Sequence, residues 1–410
     1  AFNYNPLRSA SQKLYGKPVV PHYNIGESDF ILSLGADFLE TWISPVEYAA
    51  GFSRMREYRN GRMGGFAYVG PRLSMTAGNA DYYLQVPPAD LLKASLTLLK
   101  IIQSRRGGNI SGFMTQIDNF LRRENGLPAD AAGKIELIAE KFSEARRPLA
   151  LGGPPLGHSP EAEGVALVSA ILNEAAGANG SIVDYNRPHA LSLTATNAET
   201  ENFFSGIGED DLLIIIDTNP AFTNPVAEES IKRAGEVVFI GNMDNETAAL
   251  ANWKLPADYP LECWGDFYPY PDIHCLQQPA MKPIYHTGSK GDILLELAEQ
   301  AGKPLKRQGN PNPVPNFKAW LDENWKEFFR QKQSIFSYSA FWREAQRKGG
   351  DFPQEQPAAS AAPLSTGLPE LNLPPVKPEP AAEALDLWLF PSIFLFDGRT
   401  ANRGWLQEIP

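Results

Sequence analysis

Three short polar segments of the sequence directly follow apolar runs. They are Gly35-Ala36-Asp37, Asp217-Thr218-Asn219-Pro220 and Asp244-Asn245-Glu246-Thr247. The apolar runs predict buried strands of parallel sheets, and ligands of such sheets bind beyond the carboxyl ends of the strands. We therefore predict a ligand-binding edge at these segments. The candidate binding residues are Gly35, Asp37, Asn219, Pro220, Asp244, Glu246 and Thr247.

A glycine-rich turn before a helix is the usual receptor for a nucleotide phosphate. Only residues 151–159, LGGPPLGHS, have this composition, and their prolines lack the backbone N–H groups that a phosphate needs. The sequence has no Walker A loop, no H-E-x-x-H motif and no G-x-S-x-G motif. The common phosphate, zinc and serine-nucleophile motifs are therefore missing.

The histidines and cysteines form no recognisable metal motif. The five histidines are scattered at His22, His158, His189, His274 and His286. His274 beside Cys275, and Asp266 near Trp264, could take part in acid–base chemistry, but no nucleophile or metal pattern lies near them. The only cysteines, Cys263 and Cys275, are too few for a cysteine-bound iron–sulfur cluster or structural zinc site. We predict no catalytic residue and no metal ligand.

Composition places the chain among globular proteins of more than one domain. It has 410 residues, of which 43% are hydrophobic and 21% charged, and a net charge of -11. The acidic balance and the lack of a Lys/Arg cluster argue against a nucleic-acid partner. The longest apolar runs are shorter than the roughly 18 residues that a membrane helix needs. The chain begins at Ala1 rather than Met, so we expect it to be part of a longer or processed protein.

Alternating strand and helix patterns predict an α/β fold with two doubly wound, mainly parallel sheets. Strands are predicted at DFILSL, GFAYVGP, PLALGG and SIVDY in the first half, and at DDLLIII and EVVFIG in the second. We assign residues 1–205 to a first Rossmann-like domain and 206–302 to a second.

The remaining quarter of the chain has a different character. Residues 303–350 form an aromatic helical segment, 351–385 a Pro/Ala-rich linker or irregular strap, and 386–410 the start of a further strand or domain. The aromatic helix NFKAWLDENWKEFF docks either on the core of this chain or on a partner.

Five fragments, in this order, resemble molybdopterin oxidoreductases of the dimethyl-sulfoxide-reductase type. They are DFILSLGADFLETWISPVEYA, YVGPRLSMTAGNADYYLQVPP, LLIIIDTNPAFTNP, FIGNMDNETAALANWKLPADYPLECWGDF and LQQPAMKPIYHTGSKGDILLELA. The resemblance covers nearly the whole chain. It implies two half-sheets that, in active members, hold the two guanine-dinucleotide arms of a molybdenum cofactor. LGADFLETW and YVGPRLSMTAGNAD are most similar to the cofactor-less members in menaquinone reductase and alternative complex III.

Two departures from the active family members concern the cofactor. The family position for the molybdenum ligand corresponds to about Asn3, whose neutral amide offers no anionic ligand atom. Asp37 stands where active members usually carry Asn, and a carboxylate facing a pyrophosphate repels it. We therefore expect a vestigial pocket with no cofactor in this chain. The alternative is that Asp37 points elsewhere and a molybdopterin guanine dinucleotide binds.

The resemblance implies a non-catalytic scaffold subunit of a respiratory complex that passes electrons from periplasmic cytochrome c to menaquinone. Its partners would be an iron–sulfur subunit, a multihaem cytochrome c subunit and an integral membrane quinone-reactive subunit. It would lie on the periplasmic side of the bacterial inner membrane, and an iron–sulfur cluster could belong to a missing N-terminal segment. Two alternatives stay open: an active molybdenum bis-pterin oxidoreductase, and an α/β protein that binds another nucleotide.

Overall fold

The structure is a computed structural model of the chain. It describes residues 2–59, 61–107, 111–123, 127, 129–153, 160–307, 312–332, 337–353, 360–365, 390–396, 398, 400–401 and 403–408. The chain divides into two compact units. Unit 1 comprises residues 1–196 and 357–397, and unit 2 comprises residues 197–356 and 398–410. Most of the predicted Pro/Ala-rich linker and of the glycine-rich segment at 151–159 lies outside the described residues.

Unit 1 is built on a four-stranded parallel sheet. Its elements in chain order are α1 (Asn5–Tyr15), β1 (His22–Tyr23), β2 (Phe30–Leu34), α2 (Pro45–Met55), β3 (Gly65–Gly70), α3 (Met75–Gly78), β4 (Tyr82–Gln85), α4 (Leu91–Arg106), α5 (Ser111–Arg123), α6 (Ala129–Glu144), β5 (Pro148–Gly152), α7 (Pro160–Ala175) and β6 (Val183–Asp184). The strand order is β4-β3-β2-β5, so β2 and β3 are central. Every residue of β2 and β5 is buried, as their continuous apolar runs predict.

One predicted strand of unit 1 is in a different place. SIVDY, residues 181–185, was expected in the parallel sheet, but only Val183 and Asp184 pair, and they pair antiparallel with His22 and Tyr23 of β1. The prediction was wrong because Ser181 and the backbone of Ile182 take part in a turn after α7, with their N–H groups donating to the carbonyl of Ala178.

Residues 360–365 lie along unit 1. The backbone N–H of Ala362 donates to Asn179 Oδ1 at 3.0 Å, and Asn179 Nδ2 donates to the carbonyl of Ala362 at 2.9 Å. The N–H of Ser365 donates to the carbonyl of Leu14 at 2.7 Å. A Cβ at Gly180 would lie 2.3 Å from the backbone nitrogen of Ala361, so glycine is needed for this approach. These residues are a strap that belongs to the unit 1 core, in which Ala362 is 3% exposed.

Unit 2 contains a three-stranded parallel sheet and a separate antiparallel one. Its elements are α8 (Asn197–Ser205), β7 (Leu212–Ile216), α9 (Pro220–Thr223), α10 (Ala227–Arg233), β8 (Glu236–Gly241), α11 (Glu246–Ala249), β9 (Trp253–Pro256), β10 (Gly265–Tyr270), β11 (Ile273–Gln277), α12 (Lys290–Gln300), α13 (Phe317–Gln331), α14 (Tyr338–Lys348) and β12 (Gly350–Asp351). The parallel order is β7-β8-β9 and the antiparallel order is β10-β11-β12. Two parallel sheets in one α/β chain confirm the predicted fold class.

The parallel sheet of unit 2 has one buried and one exposed face. In β7, Leu213 and Ile215 are 8% and 6% exposed, and they pack with Phe204, Ile231 and other apolar side chains. Leu212 and Ile214 point the other way and are 62% and 40% exposed. A wholly apolar strand predicts burial on both faces, so this alternation departs from the doubly wound pattern.

The aromatic helix α13 packs on its own unit. Trp325 is fully buried and forms a small core with Leu276 of β11 and Ala345 of α14. The ring of Trp342 meets Trp325 edge-on at 5.6 Å and stacks on Trp264 at 6.3 Å. Of the two alternatives that the sequence leaves open, docking on the chain's own core therefore applies to Trp325.

The predicted domain boundary follows residue 205, whereas the compact units divide after Thr196, so that α8 belongs to unit 2. The segment 386–410 is predicted to start a further strand. Within the described part of that segment, Ser392 bridges Phe396 across a turn, and Gly404–Leu406 form a short 3₁₀ helix.

Candidate functional site

The turn after β2 places Asp37 at the carboxyl edge of the unit 1 sheet. Gly35 has φ +71°, and a Cβ there would lie 2.9 Å from Leu91 Cδ2, so the turn requires glycine. The backbone of Ala36 then caps the side chain of Ser33, with Ser33 Oγ donating to the carbonyl of Ala36 at 2.7 Å. Asp37 follows, only 8% exposed. The first predicted segment is therefore a buried strand end.

The Asp37 carboxylate is fully engaged by neighbouring side chains. Tyr68 Oη donates to Oδ1 at 2.8 Å, Ser74 Oγ donates to Oδ1 at 2.5 Å, and Arg72 donates to Oδ2 at 3.0 Å. Burial and the nearby Asp37 charge raise the pKa of Tyr68 well above its ordinary value, which keeps the phenol protonated as a donor. The Asp37 carboxylate is therefore held by three side chains of unit 1.

Arg72 is shared between two carboxylates. It donates to Asp37 and to Glu40, whose side chains are 12% and 6% exposed. Burial lowers the pKa of Arg72, but the two carboxylates outweigh it and the pKa is raised. One guanidinium against two carboxylates leaves a net negative charge at this edge. The guanidinium carbon also lies 4.3 Å from the centroid of the Phe390 ring.

Asn3, the position that corresponds to the family's metal ligand, has a local structural role. Its Oδ1 accepts a hydrogen bond from the backbone N–H of Asn5 at 3.0 Å, at the start of α1. The amide side chain thus satisfies one of the donors that a helix leaves unpaired at its N-terminus.

The second edge, in unit 2, brings three of the predicted residues together. Asn219 Nδ2 donates to Glu246 at 2.6 Å, and Asn219 Oδ1 accepts from the hydroxyl and the N–H of Thr247 at 2.8 and 3.1 Å. The Thr247 hydroxyl in turn accepts from the N–H of Ala221 at 3.0 Å. The hydrogen bond from Asn219 lowers the pKa of Glu246. This network joins the turn after β7 to the turn after β8.

Asp244 and Pro220 have other surroundings. The Asp244 side chain is 83% exposed and pairs with Lys254 at 3.0 Å, outside the Asn219 network. Pro220 is the first residue of α9, a position that tolerates the missing N–H. Asp217, in a left-handed conformation with φ 52°, pairs with Lys290. Asn245 caps α11 by accepting from the N–H of Ala248 at 2.9 Å.

Sequence reasoning missed Tyr68, Arg72 and Ser74. They lie in the fragment YVGPRLSMTAGNAD, which carries part of the family resemblance. Their signal is positional: Arg72 follows β3, which is paired in parallel with β2, so its side chain and Asp37 start from neighbouring strand ends.

His274 sits in an aromatic environment. It stacks on Phe328 at 3.6 Å, and Tyr268 meets it edge-on at 4.5 Å. Burial lowers the pKa of His274. Asp266 accepts a hydrogen bond from Tyr268 Oη at 2.5 Å. Across the described ranges, no three His, Cys, Asp or Glu side chains are gathered so that they could hold a metal ion. The same ranges contain no helix with the length and apolar character of a membrane span.

The parallel sheets are consistent with a molybdopterin oxidoreductase-like fold, and comparisons with known proteins support the resemblance that the sequence fragments indicate. The chain is 24% identical over 312 residues to the molybdopterin-binding-like subunit of menaquinone reductase from Nitratidesulfovibrio vulgaris strain Hildenborough. The aligned region covers 69% of this chain and 45% of that protein. The fold of this chain is similar to that of acetylene hydratase from Pelobacter acetylenicus, with a TM-score of 0.52 and 14% sequence identity. The similarity covers 73% of this chain and 50% of the hydratase. The chain thus spans about half the length of either protein. No family model matches the sequence.

Proposed function

We propose that this chain is a non-catalytic, molybdopterin-binding-like scaffold subunit of a menaquinone reductase-type complex. The observation that carries the proposal is that the Asp37 carboxylate already accepts hydrogen bonds from three side chains. Each donor around it, the hydroxyls of Tyr68 and Ser74 and the guanidinium of Arg72, already bonds to a carboxylate of the chain.

A dinucleotide phosphate that used these donors would have to compete with the carboxylates that already hold them. A pyrophosphate brings negative charge to an edge that is already net negative through Asp37 and Glu40, and repulsion between like charges opposes its binding. If Arg72 turned towards the phosphate, it would leave two largely buried carboxylates without their cation. Because Arg72 is itself 24% exposed, breaking this ion pair costs about 2–4 kcal/mol. The side chains around Asp37 therefore do not fit the phosphate of a pterin dinucleotide.

The rest of the proposal concerns the complex. The similar protein from N. vulgaris is named as a subunit of menaquinone reductase. We infer that this chain likewise assembles with an iron–sulfur subunit, a multihaem cytochrome c subunit and an integral membrane subunit that reacts with quinone. It lies on the periplasmic side of the inner membrane, and electrons pass from cytochrome c to menaquinone through its neighbours.

An active molybdenum bis-pterin subunit is the second candidate, and one observation favours it. In unit 2 the exposed Glu246 and the half-buried Asn219 keep a polar edge at the strand ends. Such an edge can still receive one nucleotide arm of the cofactor.

Metal and nucleotide analysis of the full-length subunit, purified in its complex, separates the two candidates. We expect molybdenum and tungsten far below one atom per subunit and no guanine nucleotide after acid release. Stoichiometric metal with released guanine nucleotide would refute the scaffold proposal. An active family member handled in the same way is the positive control.

A further inference from the structure

The described residues from Phe390 to Phe396 touch unit 1 at two places. The ring of Phe390 lies over the guanidinium of Arg72 at 4.3 Å. The ring of Phe396 lies 4.6 Å from the ring of Phe2. These residues belong to unit 1, although more than 300 positions of sequence separate Phe390 from Arg72.

The Arg72 contact lies at the carboxyl edge of the sheet. Arg72 comes two residues after the end of β3. Phe2 precedes α1, and Leu7 in the first turns of that helix lies beside Gly153, which follows β5; a Cβ at Gly153 would be 3.4 Å from Leu7 Cδ2. The segment therefore meets Arg72 beyond β3 and Phe2 ahead of α1.

Arg72 connects the segment to the end of β2. Its guanidinium donates to Asp37, which follows β2 in the turn that contains Gly35. The Phe390 ring therefore covers a cation that is bonded to the predicted ligand edge.

The segment is held in a defined conformation. Ser392 accepts backbone hydrogen bonds from Phe394, at 3.1 Å to its Oγ, and from Phe396, at 2.7 Å to its carbonyl. Phe396 has φ 58°, a left-handed conformation that a bulky residue rarely adopts. Such strain persists only where surrounding contacts maintain it. The packing of Phe396 on Phe2 supplies such a contact.

We propose that residues 390–396 are an intrachain lid that closes the carboxyl edge of the unit 1 sheet. The lid occupies the side of the sheet where a ligand of this fold would enter, and its Phe390 ring covers Arg72. The interaction surface is formed by Arg72 and Phe2, and its occupant is this chain's own segment. This proposal rests on the proposed function only in taking that edge as the former ligand side.

Hydrogen exchange with mass spectrometry tests the lid on the full-length chain. In the wild type we expect the amides of 390–396 to exchange at least about tenfold more slowly than their intrinsic rates. We also expect Phe390→Ala/Phe396→Ala to speed exchange at residues 35–42, 72–76 and 390–396. A lost cation–π contact or aromatic pair corresponds to a factor of about 3 to 10 for each.

Two controls make the result specific. Trp405→Ala removes an aromatic ring that is 84% exposed and should leave exchange at residues 35–42 and 72–76 unchanged. Phe390→Tyr keeps a ring over Arg72 and should retain most of the wild-type protection at residues 35–42, 72–76 and 390–396. Circular dichroism shows whether the double variant is folded.

Intrinsic-rate exchange at 390–396 in the wild type would overturn the lid without any variant. A folded double variant with wild-type protection at residues 35–42 and 72–76 would overturn it as well. The exchange pattern is read whatever the metal content, so failure of the lid and failure of the cofactor-free scaffold give separate results.

Discussion

Replacing Arg72 by glutamine tests whether this guanidinium neutralises two carboxylates. The substitution removes the cation that Asp37 and Glu40 share, and their side chains are only 12% and 6% exposed. An isolated buried pair that loses one partner costs about 3–5 kcal/mol. Arg72 itself is 24% exposed, so solvent screens part of the interaction and we expect a loss of about 2–4 kcal/mol.

The loss should depend on pH in a defined direction. Without Arg72, burial and mutual repulsion raise the pKa values of the two carboxyls in the folded variant above those of the unfolded chain. The unfolded variant then binds fewer protons than the folded one near pH 5, so the variant loses stability as pH rises. The difference from wild type should therefore be largest near pH 7 and shrink towards pH 4.

Native-state hydrogen exchange of the β2 amides is the suitable measurement, because it reports on unit 1 separately from unit 2. Arg59→Gln is the matched control within unit 1: that side chain is 67% exposed and pairs with the exposed Glu57, so we expect no measurable change in the β2 amides. If Arg72→Gln changes the β2 amides no more than this control, or if its effect is independent of pH, the electrostatic argument fails.

Three further predictions follow from buried contacts. Burial lowers the pKa of His189 to about 4, so the unfolded chain takes up its proton first and stability falls by about 3 kcal/mol as pH drops from about 6.5 to 4; a pH series of unfolding curves should be flatter for His189→Gln. Leu213→Ala should cost about 2–4 kcal/mol and Leu212→Ala less than about 1 kcal/mol in urea unfolding, because the two neighbours are 8% and 62% exposed; equal costs would contradict the exposed face. Asn219→Ala should cost about 1–3 kcal/mol through its lost hydrogen bonds, and Asp244→Ala, 83% exposed, less than about 0.5 kcal/mol; thermal melting compares them.

The parts of the fold that could be predicted are those governed by local pattern. β2, β3, β7 and β8 are continuous apolar runs, and all four lie in parallel sheets at nearly the predicted bounds. The antiparallel sheet was missed because its first strand, GDFYPY, contains a proline and lacks regular alternation. Its strands are held by the aromatic core around Trp325, which arises from tertiary packing.

The positions of the candidate site residues could be predicted from the sequence, whereas the side chains that bind to them could not. Strand ends indicated Asp37, Asn219 and Thr247, because polar residues after buried runs are a local signal. The partner Arg72 depends on which strand pairs with β2, and the contact between Arg72 and Phe390 joins distant parts of the chain. No short-range pattern carries that information.

The strap at residues 360–365 has a consequence for synthesis on the ribosome. The carbonyl of Leu14 bonds to Ser365, and the side-chain amide of Asn179 bonds to Ala362. Both partners are synthesised only after the whole of residues 197–356. Since nascent chains fold as they emerge, the hydrophobic cores of unit 2 can form while the surface of unit 1 beside Gly180 is not yet covered by residues 360–365. Translation that stops short of residue 360 would release a chain in which that surface stays exposed, and such a chain is a target for chaperones and proteases.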